Sequence, residues 1–293
     1  MITTNGLLYS GLALADAIRG FKEAGFEAFE LPHPIFYKGI FRGTAPEQVK
    51  PLVSALHDVT FGELRIVSVN AGNDFLKPNE SEFLKEVAKT KVVIDTASEL
   101  GVRLVRVFIG EPKEGMGAHD CRKLAVRALR EVTEYAEGAG KVLALENHGG
   151  YSNDFDEELA ILEEVGSDSL RLNADSGNYY WFGYSVTETQ DILRRASRLA
   201  VHTHLKNEQS EEKNRRRSPG ECTVVRLWKG DIDIAQFVRD LRNVRYGGAY
   251  SIEEEFAGMG DLSPAELREA VREDVQELKA TLRDSGGSDP LAS

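Results

Sequence analysis

Four short apolar runs in the C-terminal half of the chain end in residues that can do chemistry. KVLALEN (141–147) delivers Glu146, with His148 just after it, and LRLNAD (170–175) delivers Asp175. LAVHTHLK (199–206) delivers His202, His204 and Lys206, and AYSIEEEF (249–256) delivers Glu253, Glu254 and Glu255. Side chains alternate along a strand. Glu146 therefore shares a face with Ala144 and His148, His202 with His204 and Lys206, and Glu253 with Glu255, leaving Glu254 opposite. If these faces point to one axis, Glu146, Asp175, His204 and Glu253 form a ring at one level. Three carboxylates and one imidazole suit a hard or borderline divalent ion, Mn²⁺ first, with Mg²⁺ or Co²⁺ as alternatives. Zn²⁺ is less favoured without thiolates or further imidazoles. Each residue alone has a plainer reading, as a helix cap, a hydrogen-bonded core histidine or a solvated edge. Together they are harder to dismiss, because grouped carboxylates raise one another's pKa unless a cation compensates.

The elements that must position these residues alternate in type. Strand patterns cover 26–31, 64–70, 103–110, 141–147, 170–175, 199–206 and 249–256, and an eighth strand lies within 1–9. Helical patterns cover 12–24, 46–57, 81–100, 119–138, 156–165, 187–197, 233–243 and 264–283. Thr44 to Glu47 and Ser263 to Glu266 read as capping boxes. Gly25, Gly101 and Gly166 read as helix stops. Eight strand–helix units without a break in composition argue for a single (β/α)8 TIM barrel over 1–284, followed by a flexible tail, 285–293. In that fold the C-terminal strand ends carry the active site. A doubly wound sheet is the runner-up, but it would want a G-x-G-x-x-G turn that the sequence lacks. NEQSEEKNRRRSPGE (207–221) reads as an unstructured or mobile loop.

The 293 residues are 41% hydrophobic and carry a formal net charge of −12. Such a field repels nucleic acid and anionic membrane surfaces. Cys121 and Cys222 form neither a disulfide framework nor a metal motif. No signal peptide is legible at the N-terminus, and no run approaches the ~18 apolar residues of a membrane span. The expected location is the cytoplasm.

LALENH (143–148), LNAD (172–175), VHTHLKN (201–207), KGDIDIAQF (229–237) and YGGAYSIEEE (246–255), in this order, resemble the xylose-isomerase-like TIM-barrel superfamily of sugar isomerases and epimerases, which also includes endonuclease IV. The resemblance covers roughly residues 10–280. It implies Glu146, Asp175, His204 and Glu253 as ligands of one divalent metal. It further implies Glu146 and Glu253 as acid and base on opposite faces of a keto-sugar, passing through an enediolate. His202, one layer deeper, is an orienting or core residue. Substrate contacts are expected from His148, Lys206, Asn178, Glu111, Asn70 and Trp181. Glu30, His33, Asn73, Phe182, Tyr184 and the Arg215–Arg217 run are further mouth candidates. Two departures stand out: Asn178 replaces a histidine that many relatives carry after the aspartate, and HLKN replaces the H-x-G-E of keto-sugar 3-epimerases. The rival outcome is a metal-dependent lyase cleaving a 3-keto-glycoside or anhydro-sugar bond by β-elimination. A metal-free binding barrel is the remote alternative. The endonuclease branch needs many histidines, and this chain has six. The expected partner is a small carbohydrate, with a homo-oligomer left open.

Overall fold

A computed structural model describes residues 1–5, 12–37, 64–255 and 263–284. Eight parallel strands close into a barrel. In spatial order they are β1 (Ile2–Thr4), β2 (Ala28–Pro32), β3 (Arg65–Asn70), β4 (Leu104–Val107), β5 (Val142–Glu146), β6 (Leu170–Asp175), β7 (Ala200–Leu205) and β10 (Tyr250–Ile252). The eighth strand expected near the N-terminus is β1. It closes the ring by pairing Ile2 with Tyr250 on one side and Thr3 with Ala28 on the other. The barrel helices among the described residues are α1 (Leu14–Ala24), α2 (Glu80–Glu99), α3 (Ala118–Gly138), α5 (Phe155–Val165), α7 (Val186–Ala196), α8 (Ile234–Asn243) and α9 (Pro264–Asp284). Two short helices, α4 (Gly149–Ser152) and α6 (Ser176–Trp181), follow β5 and β6 directly. The helix expected at 46–57, its Thr44 capping box and the 285–293 tail lie outside the described residues.

Local signals explain several boundaries. Ser263 and Glu266 exchange the two hydrogen bonds of a capping box at the start of α9. Gly25 and Gly166 end α1 and α5 at positive φ (91° and 70°), a region costly for residues with a Cβ. Period-2 alternation sends Val105, Val107, Leu143, Leu145, Leu172 and Ala174 outward, where they join Phe21, Phe83, Val93, Leu129 and Phe237 of the helices in one apolar cluster. Each such side chain contributes about 1.5–3 kcal/mol on burial. The inward set is different. Glu30, Ser68, Asn70, Arg106, Glu146, Asn173, His202, His204 and Ser251 are all buried. Branched apolar residues usually fill this space. A polar interior is stable only where its groups pair with one another, so the barrel mouth is built around a hydrogen-bonded charge cluster.

The segment 207–221 is held in place, contrary to the mobile reading, although beyond Gln209 it consists of turns and bends. Asn207–Gln209 (β8) pairs antiparallel with Thr223–Val225 (β9). The Asn207 side chain donates to the carbonyls of Leu227 and Ile232 and accepts from the Ile232 N–H. Arg217 is buried and donates to the carbonyls of Tyr180, Tyr184 and Glu221. The polar composition that suggested disorder supplies these partners instead. Arg215 and Arg216 do stay exposed, paired with Glu212 and Glu188. Among the described residues no helix is long and apolar enough to cross a membrane. Both cysteines are free thiols.

Candidate functional site

The ends of β5, β6, β7 and β10 bring the four expected ligands together. One ligand atom from each of Glu146, Asp175, His204 and Glu253 lies within 4.8 Å of the others, and all four residues are buried. Nδ1 of His204 is the common neighbour, 3.4 Å from Glu146 Oε2 and 3.7 Å from both Asp175 Oδ2 and Glu253 Oε2. The backbones are not level, however. Asp175 is level with His204, whereas Glu146 pairs with Asn173, two residues short of Asp175. The longer glutamate side chain makes up that step.

Asp175 and Glu253 split their two oxygens between support and cluster, whereas Glu146 uses Oε2 for both. Asp175 Oδ1 accepts from the N–H groups of Gly177 (2.9 Å) and Asn178 (2.8 Å), capping α6, while Oδ2 has no hydrogen-bond partner. Helix cap and ligand candidate are thus one residue, not rival readings. Glu253 Oε1 accepts from Asn5 Nδ2 at 2.5 Å, and its Oε2 and His204 Nδ1 are likewise without hydrogen-bond partners. Glu146 Oε2 accepts from Asn173 Nδ2 at 3.0 Å and lies 3.3 Å from Arg106 Nε.

Beneath the cluster, Glu30 is enclosed by donors from three other strands. Asn70 Nδ2 (2.7 Å), Ser68 Oγ (3.2 Å) and Ser251 Oγ donate to it, and Nε2 of His204 lies 3.1 Å away. His202 Nε2 lies 2.9 Å from Glu30 on the same side. His202 is therefore an under-layer residue, as its strand position implies. Glu30, His202 and His204 form a second group that could hold an ion, and in this structure Glu30, bonded by Asn70 and Ser251, supports the His204 ring from below.

The charges act strongly on one another. Burial favours protonation of Glu146, but His204 and Arg106 together hold its pKa below the usual carboxylate range. Burial likewise opposes ionisation of Glu253, and Lys206 and His204 bring its pKa down. Asp175 goes the other way: burial, with the charges of Glu253 and Glu146, raises it against the pull of Lys206. Burial disfavours a charged His204, yet Glu146, Glu30 and Glu253 raise its pKa well above an ordinary imidazole. The shifts of Asp175 and His204 express one excess of negative charge, which a divalent cation would relieve.

The sequence profile of the xylose isomerase-like TIM-barrel family matches residues 18–281. The chain belongs to this family. Among solved structures, it is similar to the IOLI protein with a bound zinc atom, at 18% identity over 98% of each chain and a TM-score of 0.73. It is similar to an L-ribulose 3-epimerase at 17% identity, over 97% of this chain and 95% of that one, with a TM-score of 0.72. A xylose isomerase-like TIM-barrel protein from Mycobacterium smegmatis in complex with magnesium gives 18% identity, 96% and 97% coverage and a TM-score of 0.71. At these identities the likeness is one of fold. A comparison with curated proteins finds no match.

In this xylose isomerase-like barrel the expected substrate residues divide. Lys206 enters the cluster itself, with Nζ 3.0 Å from Glu253 Oε2 and 3.5 Å from Asp175 Oδ2. His148 is exposed beyond Glu146, its ring 4.6 Å from that of Phe108. Of the other four, Asn70 and Asn178 are buried, Trp181 is half-buried and Glu111 is exposed. Asn70 donates to Glu30, Asn178 donates to the Asn147 carbonyl, and Glu111 accepts from the Gly150 N–H. The Trp181 carbonyl accepts from the Gly220 N–H in the 207–225 segment (2.9 Å). Among the wider candidates, His33 is buried beside Thr96 Oγ1, where burial lowers its pKa to about 4. Asn73 clamps both backbone groups of Phe108, and Glu30 is fully buried. One site residue escaped the sequence reading. Arg106 stands beside Glu146, donates Nη2 to Tyr37 Oη (2.8 Å), and lies 4.1 Å from the Phe108 ring centre. Its signal was present in RLVRVFIG, where one arginine interrupts an apolar strand on the inward face.

Proposed function

We propose that the protein is a divalent-metal-dependent isomerase or epimerase of a sugar- or polyol-derived ketone, acting through an enediolate. The observation that carries this reading is the convergence of Asp175 Oδ2, Glu253 Oε2 and His204 Nδ1, three buried polar atoms without hydrogen-bond partners, around Glu146. Buried polar atoms normally have hydrogen-bond partners; these three have only ion-pair contacts, Lys206 Nζ with the two oxygens and the carboxylates with Nδ1, and their convergence fits a divalent ion. The donor set is hard, and the counter-charge fits as well. With Glu30 included, four carboxylates face two side-chain cations, Arg106 and Lys206, which leaves an excess of negative charge for a divalent cation.

Glu146, Asp175, His204 and Glu253 would hold the ion. What it supplies there is Lewis acidity for the charge that develops on a carbonyl oxygen. The chain's own residues do the proton work. Glu146 and Glu253 stand three strands apart in the barrel order, so they approach a substrate from different sides. One takes the proton from the carbon beside the carbonyl, and the other returns one. Arg106 keeps Glu146 ionised, as a base must be. The protein is read as taking a small carbohydrate. An epimerase, a zinc protein and a magnesium complex among the similar structures support a sugar substrate and a divalent ion. Manganese remains our first choice from the donor set.

The test is solvent exchange. Free ketoses, inososes and 3-keto-glycosides are incubated in D2O with Mn²⁺-loaded protein. The expected result is deuterium at the carbon next to the carbonyl without bond cleavage, lost in Glu146→Gln and Glu253→Gln. Release of an aglycone, or opening of an anhydro ring, identifies a lyase instead. No stoichiometric metal, with both variants unaltered in stability and activity, would overturn the site assignment.

A further inference from the structure

We propose that Lys206 is a built-in placeholder cation, whose ammonium competes with the divalent ion for Asp175 and Glu253 and withdraws to Glu255 when the ion binds. The inference rests on the metal reading above. Its first support is that the lysine and an ion would need the same atoms. Nζ lies 3.0 Å from Glu253 Oε2 and 3.5 Å from Asp175 Oδ2. Both oxygens also lie 3.7 Å from His204 Nδ1. Carboxylate ligands bind Mg²⁺ or Ca²⁺ at about 2.0–2.6 Å. An ion at such range of both oxygens would sit against the ammonium, and the like charges would repel.

The second support is that the lysine berth is built rather than incidental. A lysine at a strand end ordinarily extends its charge to water. Here the side chain is only 3% exposed. Its stem runs over Gly177, where an added Cβ would come within 2.6 Å of Lys206 Cγ, so only glycine leaves the path open. The backbone is pinned at both groups by Ser176 Oγ, which accepts from the Lys206 N–H (3.0 Å) and donates to its carbonyl (2.7 Å). Ser176 and Gly177 follow the ligand Asp175 directly, so one tripeptide shapes both the ligand and the lysine berth.

The third support is a place to go. Glu255 Oε2 lies 3.1 Å from Nζ, and its side chain is 36% exposed against 7% for Glu253, so it stands nearer the solvent. A four-carbon stem with rotatable bonds can pivot about this contact. In its inner position the ammonium screens the carboxylates from one another. In its outer position it stands at the mouth, able to donate to a substrate oxygen. The movement makes and breaks only ion pairs; no proton or covalent bond changes hands.

The test measures MnCl2 binding by titration calorimetry, with thermal melting, on the wild type, Lys206→Met, Glu255→Gln and the double variant. Lys206→Met is expected to bind Mn²⁺ about tenfold more tightly, within the usual range of coupling between two ligands, and to melt lower without Mn²⁺. Glu255→Gln is expected to weaken Mn²⁺ binding when Lys206 is present and to have a smaller effect in the Lys206→Met background. Equal or weaker binding by Lys206→Met, or an equal Glu255→Gln effect in both backgrounds, overturns the proposal. A measurement on the unaltered chain stands beside these in case Lys206→Met fails to fold. Amine labelling read by mass spectrometry should find Lys206 protected without Mn²⁺ and reactive with it, and unchanged protection also overturns the proposal. If the wild type and Lys206→Met both bind no Mn²⁺, the metal reading falls and the lysine proposal with it, a result distinct from binding that ignores the lysine.

Discussion

Nε2 of His204 lies 3.1 Å from Oε1 of Glu30, while Nδ1 of the same ring faces Glu146, Asp175 and Glu253. The two ring nitrogens thus have separate tasks. A carboxylate on one nitrogen fixes the proton there and leaves the other nitrogen's lone pair for a cation. Glu30 is buried and cannot touch a substrate, so it acts as a positioning residue. Glu30→Gln presents an amide donor or a weaker acceptor to Nε2 and unsettles the tautomer. We expect Mn²⁺ affinity to fall about 10–100-fold, the usual cost of losing such a supporting partner. Calorimetric titration decides this, and an unchanged affinity would show that the ring needs no such orientation.

Arg106 gives a prediction of a different kind, because it acts on the charge of Glu146. Burial favours a protonated Glu146, and His204 with Arg106 opposes it. Arg106→Met removes one of the opposing charges, so the Glu146 pKa must rise. Carboxylate ligands bind metal only when deprotonated. Mn²⁺ affinity should therefore decline at a higher pH in the variant than in the wild type as the solution is acidified. Titrations at several pH values from 7 to 4 read this directly. Parallel curves for the two proteins would mean that Arg106 does not set the ionisation of Glu146.

How much of this was legible in the sequence depends on the kind of signal. Asp175, His204 and Glu253 could be found because strand alternation and strand-end position are both properties of consecutive residues. Arg106 was equally visible as a charge inside an apolar strand, but its partner Glu146 lies forty positions away and on the next strand. Asn70 and Glu111 sat at the expected mouth, yet only tertiary contacts show that Glu30 and the Gly150 N–H claim them. Composition was least reliable in 207–221. There charged and polar residues signalled a mobile segment, whereas buried Asn207 and Arg217 bond backbone carbonyls that hold it in place.

That segment supplies a stability prediction. The Arg217 guanidinium lies 4.0 Å from the Tyr180 ring centre and donates to three carbonyls, those of Tyr180, Tyr184 and Glu221. Arg217→Ala removes a donor from all three carbonyls, of which Tyr180 keeps the Gly183 N–H, and opens a gap under the turn. A loss of about 2–4 kcal/mol is expected, since unpaired buried groups cost about 1–3 kcal/mol each and water reaches some of them. Urea unfolding measures the loss, and limited proteolysis should show faster cleavage near 210–221. Wild-type resistance on both counts would return the segment to the status of a passive loop.

Glu158 provides a prediction about pH. It is fully buried on α5, accepts from Tyr179 Oη at 2.6 Å, and its Oε1 has no hydrogen-bond partner. Burial, aided by the charge of Glu146, pushes its pKa to about 8 against the pull of Tyr179. The unfolded chain ionises the same group near the ordinary 4.5. Between these values the folded protein binds more protons than the unfolded one, so stability falls as pH rises. The slope reaches about 1.4 kcal/mol per pH unit for one such group. Above about pH 8 the folded group ionises too, and the penalty stays at its full size. Glu158→Gln keeps the neutral shape and the acceptor for Tyr179 but cannot ionise. The variant and wild type should therefore melt at similar temperatures near pH 5, with the variant progressively ahead towards pH 9. Glu254, raised to about 8 by burial, acts in the same direction, so one substitution removes only part of the slope. Melting curves at pH 5, 7 and 9 decide the matter, and a gap that does not widen with pH would mean that Glu158 ionises as easily in the folded protein as in the unfolded chain.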